Sequence, residues 1–288
     1  MESERMLEFF KGKTILITGT TGFLGKVLLE KILRTQPQVH KLYLLVRAET
    51  IDLAAQRFQN EIVVISGDVS LHNFGLEDEK LKIKMFEEIN IVMNFAATTK
   101  FDERFDISMD VNTMGVLHVL NFAKHCPEIK IFVQISIAYV CGEIKDEKTI
   151  VQEKPFEMGQ TLKETSKLDI TAEMNLLKKK IDELRLENAT ENTTKHALKV
   201  YGIERAKLYG WPNTYAFTKA MGEMQLVHHK DNVPLIIKRP TMVTRTLKDP
   251  FSGWIEGLRT LDSIICTIGQ GKITSFLDHP KKILDISI

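Results

Sequence analysis

Two spacings alternate along the chain. Short apolar runs at 14–17, 41–47, 61–68, 89–97, 130–136 and 233–240 are bounded by turn formers and read as buried strands. Between them, apolar residues recur every three or four positions, the period of a helix with one buried face. Val27, Leu28, Ile32 and Leu33 open the first such stretch, and 51–60, 81–88 and 101–125 follow. Residues 162–187 carry Ile170, Met174, Leu177, Ile181 and Leu184 at the same period, and another helix starts after Trp211. The stripe within 162–187 reads as plain packing or as an insertion bordering a substrate cleft. Residues 151–155 read as loop. Asn188-Ala-Thr190 and Asn192-Thr-Thr194 match the sugar-attachment pattern, but with no secretory signal ahead of them they read as an exposed polar loop. The tail has turns at Asp249-Pro250 and Gly269-Gln-Gly271 and closes on an apolar run, 283–288, that reads as the start of a strand. Strands alternating with helices imply right-handed crossovers and one parallel sheet.

The first strand–helix junction is the strongest local signal. It reads Thr18-Gly19-Thr20-Thr21-Gly22-Phe23-Leu24-Gly25. Strand, glycine turn and helix in that order form the first unit of a Rossmann-type fold, an α/β doubly wound parallel sheet with helices on both faces. Gly19 permits the tight turn, Gly22 lets backbone approach a pyrophosphate, and Gly25 lets helix and strand pack closely. Thr18, Thr21, Phe23 and Leu24 complete the cradle, and the helix start offers unpaired N–H groups to phosphate.

Four later positions extend this reading. Arg47 ends the second strand, where an acidic residue suits NAD and a basic one suits the extra phosphate of NADP; the competing reading is a solvated surface arginine with Glu49 nearby. Asp68, followed by Val69, is placed either to accept from an adenine amino group or to cap a turn. Asn94-Phe-Ala96-Ala97 brings small residues to where a nicotinamide-side ribose needs close approach. Asn112 stands inside a helical stretch, where a buried amide needs a reason: it satisfies a local polar group, or it shapes a catalytic site through a bound water.

Composition narrows the class. The chain has 288 residues and a net charge of +1, so no electrostatic case exists for nucleic acid. Cys126, Cys141 and Cys266 are an odd count without metal-type spacing, which reads as a reducing compartment, with no disulfide framework and no metal site. No apolar run is long enough to span a membrane. Peripheral membrane contact and oligomerisation stay open.

Tyr215 and Lys219 are four apart on one predicted helix and share a face. That arrangement suits proton transfer coupled to hydride transfer. A free phenol titrates near pH ~10, and a neighbouring ammonium is expected to lower that value. Tyr215 would donate its proton to a carbonyl oxygen while Lys219 holds the nicotinamide ribose. The bland alternative is a surface aromatic–cation pair.

The motifs Thr-Gly-x-x-Gly-x-x-Gly, Asn-x-Ala-Ala, Tyr-x-x-x-Lys and Arg239-Pro240, in this order, resemble the extended short-chain dehydrogenases/reductases. Within them, Lys13 to Leu33, Phe101-Asp-Glu-Arg104, Glu153-Lys-Pro-Phe156, Tyr209-Gly-Trp-Pro-Asn-Thr-Tyr215-Ala-Phe-Thr-Lys-Ala-Met-Gly-Glu223 and Lys248-Asp-Pro-Phe-Ser-Gly-Trp-Ile-Glu-Gly257 resemble the plant alcohol-forming fatty acyl-CoA reductases. The resemblance implies NADPH as cofactor and a long-chain fatty acyl-CoA as substrate, reduced through an aldehyde to a primary alcohol for waxes, cutin and suberin. It also implies that Gly19, Gly22 and Gly25 bind pyrophosphate, Arg47 the NADP phosphate, and that Tyr215 and Lys219 act as a pair. It implies work in the cytoplasm or at the surface of the endoplasmic reticulum.

Three departures from the family follow. The family's Ser-Thr-Ala-Tyr-Val, whose threonine polarises the carbonyl, is here Ser136-Ile137-Ala138-Tyr139-Val140. Ser136 is the neighbouring hydroxyl, although successive extended residues face opposite ways. The stretch from Arg47 to Asp68 is shorter than in the family. Third, the chain stops at Ile288, where the resemblance implies a further substrate region and a C-terminal domain; the expected organisation is therefore a nucleotide-binding domain over 1–240, with a helical insertion at about 160–205, and an incomplete substrate region over 241–288. Two other readings remain: an NADP-binding protein without turnover, and a general extended reductase or epimerase acting on sugars or small carbonyls, against which the Trp-Pro-Asn-Thr-Tyr stretch argues.

Overall fold

The computed structural model describes residues 2–47, 61–142, 150–164, 166–257, 260–275 and 286–287. In chain order come helix α1 (Glu2–Phe10), strand β1 (Thr14–Thr18), α2 (Phe23–Thr35), β2 (Lys41–Val46), β3 (Glu61–Ser66), α3 (Glu79–Glu88), β4 (Ile91–Asn94) and α4 (Phe105–Ser108). A π-helical turn (Met109–Met114) joins α4 to α5 (Gly115–Lys124), followed by β5 (Ile131–Ile135), α6 (Ile170–Leu186), α7 (Glu191–Leu208), α8 (Thr214–His229) and β6 (Leu235–Lys238). The tail adds β7 (Met242–Val243), α9 (Thr260–Gly269) and β8 (Ile286–Ser287).

The six long strands form one sheet in the order β3-β2-β1-β4-β5-β6, and every pairing is parallel. This is the doubly wound Rossmann-type order expected from the sequence. Side chains alternate across each strand. Leu16, Tyr43, Val92 and Phe132 therefore join the core under α3 and α5, whereas Ile15, Ile17, Leu42, Leu44 and Ile91 join the core under α2. A third apolar cluster gathers α6, α7 and α8 around Trp211 and Phe217. Both faces of the central strands are covered, which is why their sequences run apolar without alternation.

Several sequence expectations change. The helix expected over 101–125 is interrupted by the wide π turn at Met109–Met114. The helix expected from 162 starts at Ile170, because Asp169 caps it by accepting the Ala172 N–H at 3.0 Å. Asn192-Thr-Thr194 is not loop: Thr190 caps α7 by accepting the Thr193 N–H, and the three residues lie in that helix's first turn. Helices α1 and α9 had no counterpart in the sequence reading. The closing apolar run supplies β8, which pairs in parallel with β7 in a small second sheet. The helix expected over 51–60, and Glu49, lie outside the described residues. Among the described residues, no helix is long and apolar enough to cross a membrane.

Candidate active site

A cavity of about 440 Å³ opens beyond the C-terminal ends of β1 and β4, where the strand order reverses. Ligands of open α/β sheets bind at this switch point. Gly19, Thr21, Gly22, Phe23, Leu24, Gly25, Arg47, Asp68, Val69, Ala96 and Ala97 all line it, as do Ser136, Tyr215 and Lys219. Thr18 does not. It is fully buried, and its hydroxyl donates to Asn94 Oδ1 at 2.5 Å and accepts the Ala96 N–H at 3.1 Å.

Internal contacts explain two of the three turn glycines. Gly19 has φ +72°, and a Cβ there would sit 2.6 Å from the Ala96 nitrogen. A Cβ on Gly25 would come within 2.3 Å of the Gly19 carbonyl oxygen. Gly22 is different, since its nearest neighbour to such an atom is at an ordinary 3.4 Å, so room for a ligand is what its missing side chain provides. Gly22 is also the N-cap of α2; no side chain caps the helix, and no acidic residue stands in its first turn. The N–H groups of that turn face the cavity unneutralised, the arrangement an anion needs. The residues present therefore fit a dinucleotide pyrophosphate.

Arg47 is exposed at the rim, at the end of β2. Of its two sequence readings, the structure shows Asp68 as a turn cap: one carboxylate oxygen accepts the Ser70 N–H at 2.8 Å, and the residue lines the cavity.

Tyr215 and Lys219 project from α8, a helix buried nearly all round. Asn213 starts it by accepting the Ala216 N–H at 2.8 Å. Trp211 anchors the approach, donating its indole N–H to the Val140 carbonyl at 2.8 Å and packing on Phe217. The Lys219 ammonium donates to the Ile135 carbonyl at 2.6 Å. Burial lowers its pKa to about 8, and Glu223 one turn away opposes that shift. Glu223 is itself held by Arg239, through Nε to Oε1 at 3.0 Å and Nη2 to Oε2 at 2.5 Å. Burial pushes the Tyr215 phenol up to about 12. The sequence suggested the reverse, a phenol lowered by its lysine. Desolvation dominates, so Tyr215 stands as a neutral acid.

Ser136 and Ile137 both border the cavity beyond β5. Among the described residues, Ser136 Oγ is buried without a hydrogen-bond partner. Ile137 is apolar wall, packed into the cluster that contains Val140 and Trp211. Asn112 stands back from the cavity. Its Oδ1 accepts the Thr98 N–H at 3.0 Å, and its Nδ2 donates to the Thr98 carbonyl and to Thr218 Oγ1, each at 3.1 Å. Of the two roles the sequence left open, these bonds are local satisfaction; they reach the cavity only through the neighbouring Thr99, which lines it.

Sequence reasoning missed the cavity's outer wall. Thr241–Thr244, Ile255–Gly257 and Asp262 close that side. The segment is strapped to α2: Lys26 pairs with Glu256 at 2.8 Å, Lys31 with Asp249 at 2.9 Å, and Phe23 meets Trp254 edge-on at 5.5 Å. The Lys248–Gly257 stretch was visible as a family-like segment, but nothing in it announced a partner on α2.

Comparisons with known proteins agree with this geometry. The family described as "Male sterility protein" matches residues 17–287. Probable fatty acyl-CoA reductase 4 of Arabidopsis thaliana is 45% identical over 306 residues, covering 97% of this chain and 62% of that protein. The alcohol-forming fatty acyl-CoA reductase of Simmondsia chinensis is 44% identical over 310 residues, covering 99% of this chain and 62% of that protein. The chain thus spans about three fifths of the length of these relatives. Both matches run longer than the 288 residues present, so the relatives carry residues within the matched region that this chain lacks. Among solved structures, the terminal R domain of the myxalamid PKS-NRPS pathway superposes with a TM-score of 0.58 at 20% identity, covering 96% of this chain and 59% of that one. WbmG of Bordetella bronchiseptica, in complex with NAD, superposes at 0.50 and 18% identity, covering 90% of this chain and 60% of that one. At such identities these two speak for the fold.

Proposed function

We infer the function from one premise: this chain belongs to the male sterility protein family of NAD-binding domains. We propose that it reduces a long-chain fatty acyl-CoA to the primary alcohol by way of the aldehyde, with NADPH as reductant. The observation that carries this reading is the one cavity lined by both the glycine turn and the Tyr215/Lys219 pair. Arg47 at the rim supports NADPH over NADH, because its guanidinium matches a phosphate. Residues 1–240 then form the nucleotide-binding part, with α6 and α7 as its helical insertion, and residues from 241 onward form part of the acyl side. The acyl substrate favours work at a lipid surface of the endoplasmic reticulum, by peripheral contact.

The chain's own groups divide the work. The N–H groups at Gly22–Gly25 hold the pyrophosphate, and Arg47 holds the remaining phosphate. Bound NADPH supplies the hydride. Lys219 donates to the nicotinamide ribose while Glu223 keeps its charge from being too costly. Tyr215, held neutral, delivers a proton from its hydroxyl to the carbonyl oxygen as negative charge develops there. Loss of CoA after the first reduction leaves an aldehyde for a second, identical pass.

Ile137 favours a second reading, an NADP-binding relative with weak or no turnover. A donor aimed at the developing oxyanion is worth roughly 10²–10³ in rate, and Ile137 has none. Incubating the protein with NADPH and a C16 or C18 acyl-CoA, with products identified by mass, separates the two. Free CoA and fatty alcohol support the reductase; NADPH binding with neither product supports the second reading.

A further inference from the structure

A continuous line of hydrogen bonds crosses the sheet from the glycine turn to the lysine. On β1, Thr18 Oγ1 donates to Asn94 Oδ1 at 2.5 Å. On β4, Asn94 Nδ2 donates to Gln134 Oε1 at 2.8 Å. On β5, Gln134 Nε2 donates to the Ile135 carbonyl oxygen at 2.9 Å. That same oxygen accepts the Lys219 ammonium at 2.6 Å. Thr18, Asn94, Gln134 and Lys219 are exposed by only 0%, 1%, 2% and 3%, so water does not replace any of these bonds.

Sheet formation does not require them. Neighbouring positions on the same strands are Ile, Leu, Val, Met and Phe, and the ladder pairs through backbone alone. Burying two amides and a hydroxyl is unfavourable unless every group is satisfied, and here each member both gives and receives. A carbonyl oxygen has two acceptor sites. Gln134 and Lys219 take them both at Ile135. Gln134 thereby fixes the orientation of the oxygen that seats the ammonium; among the described residues Lys219 donates to no other group, which leaves its other two N–H groups for a ligand in the cavity.

We propose that Gln134 is a positioning residue for Lys219: it holds the Ile135 carbonyl, and through Asn94 and Thr18 it keeps the lysine's seat in register with the glycine turn. This rests on the reading of Lys219 as a ribose ligand. No contact between Gln134 and any ligand is needed, since it acts through Ile135.

The test is a double-mutant cycle read by calorimetric NADPH binding, without acyl substrate. Lys219→Met tests the underlying reading first. If it leaves NADPH affinity unchanged, the reading of Lys219 fails, independently of Gln134. With that reading standing, Gln134→Met is expected to weaken NADPH about tenfold, and to add less than about twofold in the Lys219→Met background, the non-additivity of two groups acting as one. Equal weakening in both backgrounds, or none in either, overturns the proposal. Gln134→Glu carries the test if the Met variant fails to fold. While ionised it keeps an acceptor for Asn94 but has no donor for Ile135, so at a pH where its carboxylate is charged it is expected to weaken NADPH as Met does. Full affinity of Gln134→Glu at that pH would mean that only the sheet-stitching bond to Asn94 matters, and that too overturns it.

Discussion

On the sheet side of the cavity, β1, the glycine turn and α8 carry groups whose supports are buried or largely so: Thr18 beneath the turn, Gln134 and the half-buried Ile135 beneath Lys219, and Glu223 with the half-buried Arg239 behind them. On the outer side, the 241–257 segment rests on α2 through Lys26–Glu256, whose side chains are 42% and 32% exposed, and through one aromatic edge contact. Leu247 and Phe251 nearby are 63% and 59% exposed. A wall packed against backbone has no room to adjust, whereas solvated ion pairs contribute little and exchange readily. Under the proposed function, the nucleotide and the reacting bond would meet a fixed surface, and the other wall would be left to adapt to what arrives.

The sharpest way to break this contrast is Gly25→Ala. Its Cβ would press on the Gly19 carbonyl, a backbone atom that cannot move aside. Overpacking of this kind costs about 1–3 kcal/mol or more, so a lowered melting temperature and loss of NADPH binding are expected; retention of both would mean the turn is as pliable as the strap. Tyr215→Phe should lower turnover by about 10²–10⁴ while NADPH affinity stays within about twofold. Ile137→Thr should raise reduction by up to about 10² if the missing donor limits the rate, with some loss of stability from burying a hydroxyl in an apolar cluster. Unchanged turnover in that variant would shift attention to the outer wall.

Acidity offers a subtler check. With Lys219 titrating at about 8, NADPH affinity should fall several-fold as pH rises through that value, and Lys219→Arg should flatten the profile. Stability should move the other way. The unfolded lysine, near its ordinary 10.5, binds its proton more tightly than the folded one, so this group's penalty is fully present below about 8 and is relieved as pH rises toward 10.5. Smallest of all, Lys26→Ala should change stability by less than about 1 kcal/mol; a larger effect would put the strap on a par with the sheet.

What the sequence disclosed follows the same division. The succession of strands and helices and the glycine turn were readable because they depend on local spacing and on a few residues that only one geometry accepts. Tyr215 and Lys219 were readable because a helix fixes what lies four residues apart. The break at Met109–Met114 was not, since it answers to Thr98 and Thr218 gripping Asn112 from outside the helix. Residues 188–194 were misread because Thr190 starts a helix within a polar stretch. Glu256 was invisible because its partner lies 230 positions away. Gln134 left a trace, a lone amide in an apolar run, whose meaning depended on two neighbouring strands.

The chain's two tryptophans sit in opposite settings. Trp211 is wholly enclosed beside Phe217, while Trp254 is half-buried against Phe23 at the head of α2. The molecule thus carries two built-in optical reporters. The emission of Trp254 would be quenched by energy transfer to a reduced nicotinamide, announcing occupancy, while that of Trp211 would shift to the red only when the fold itself gives way.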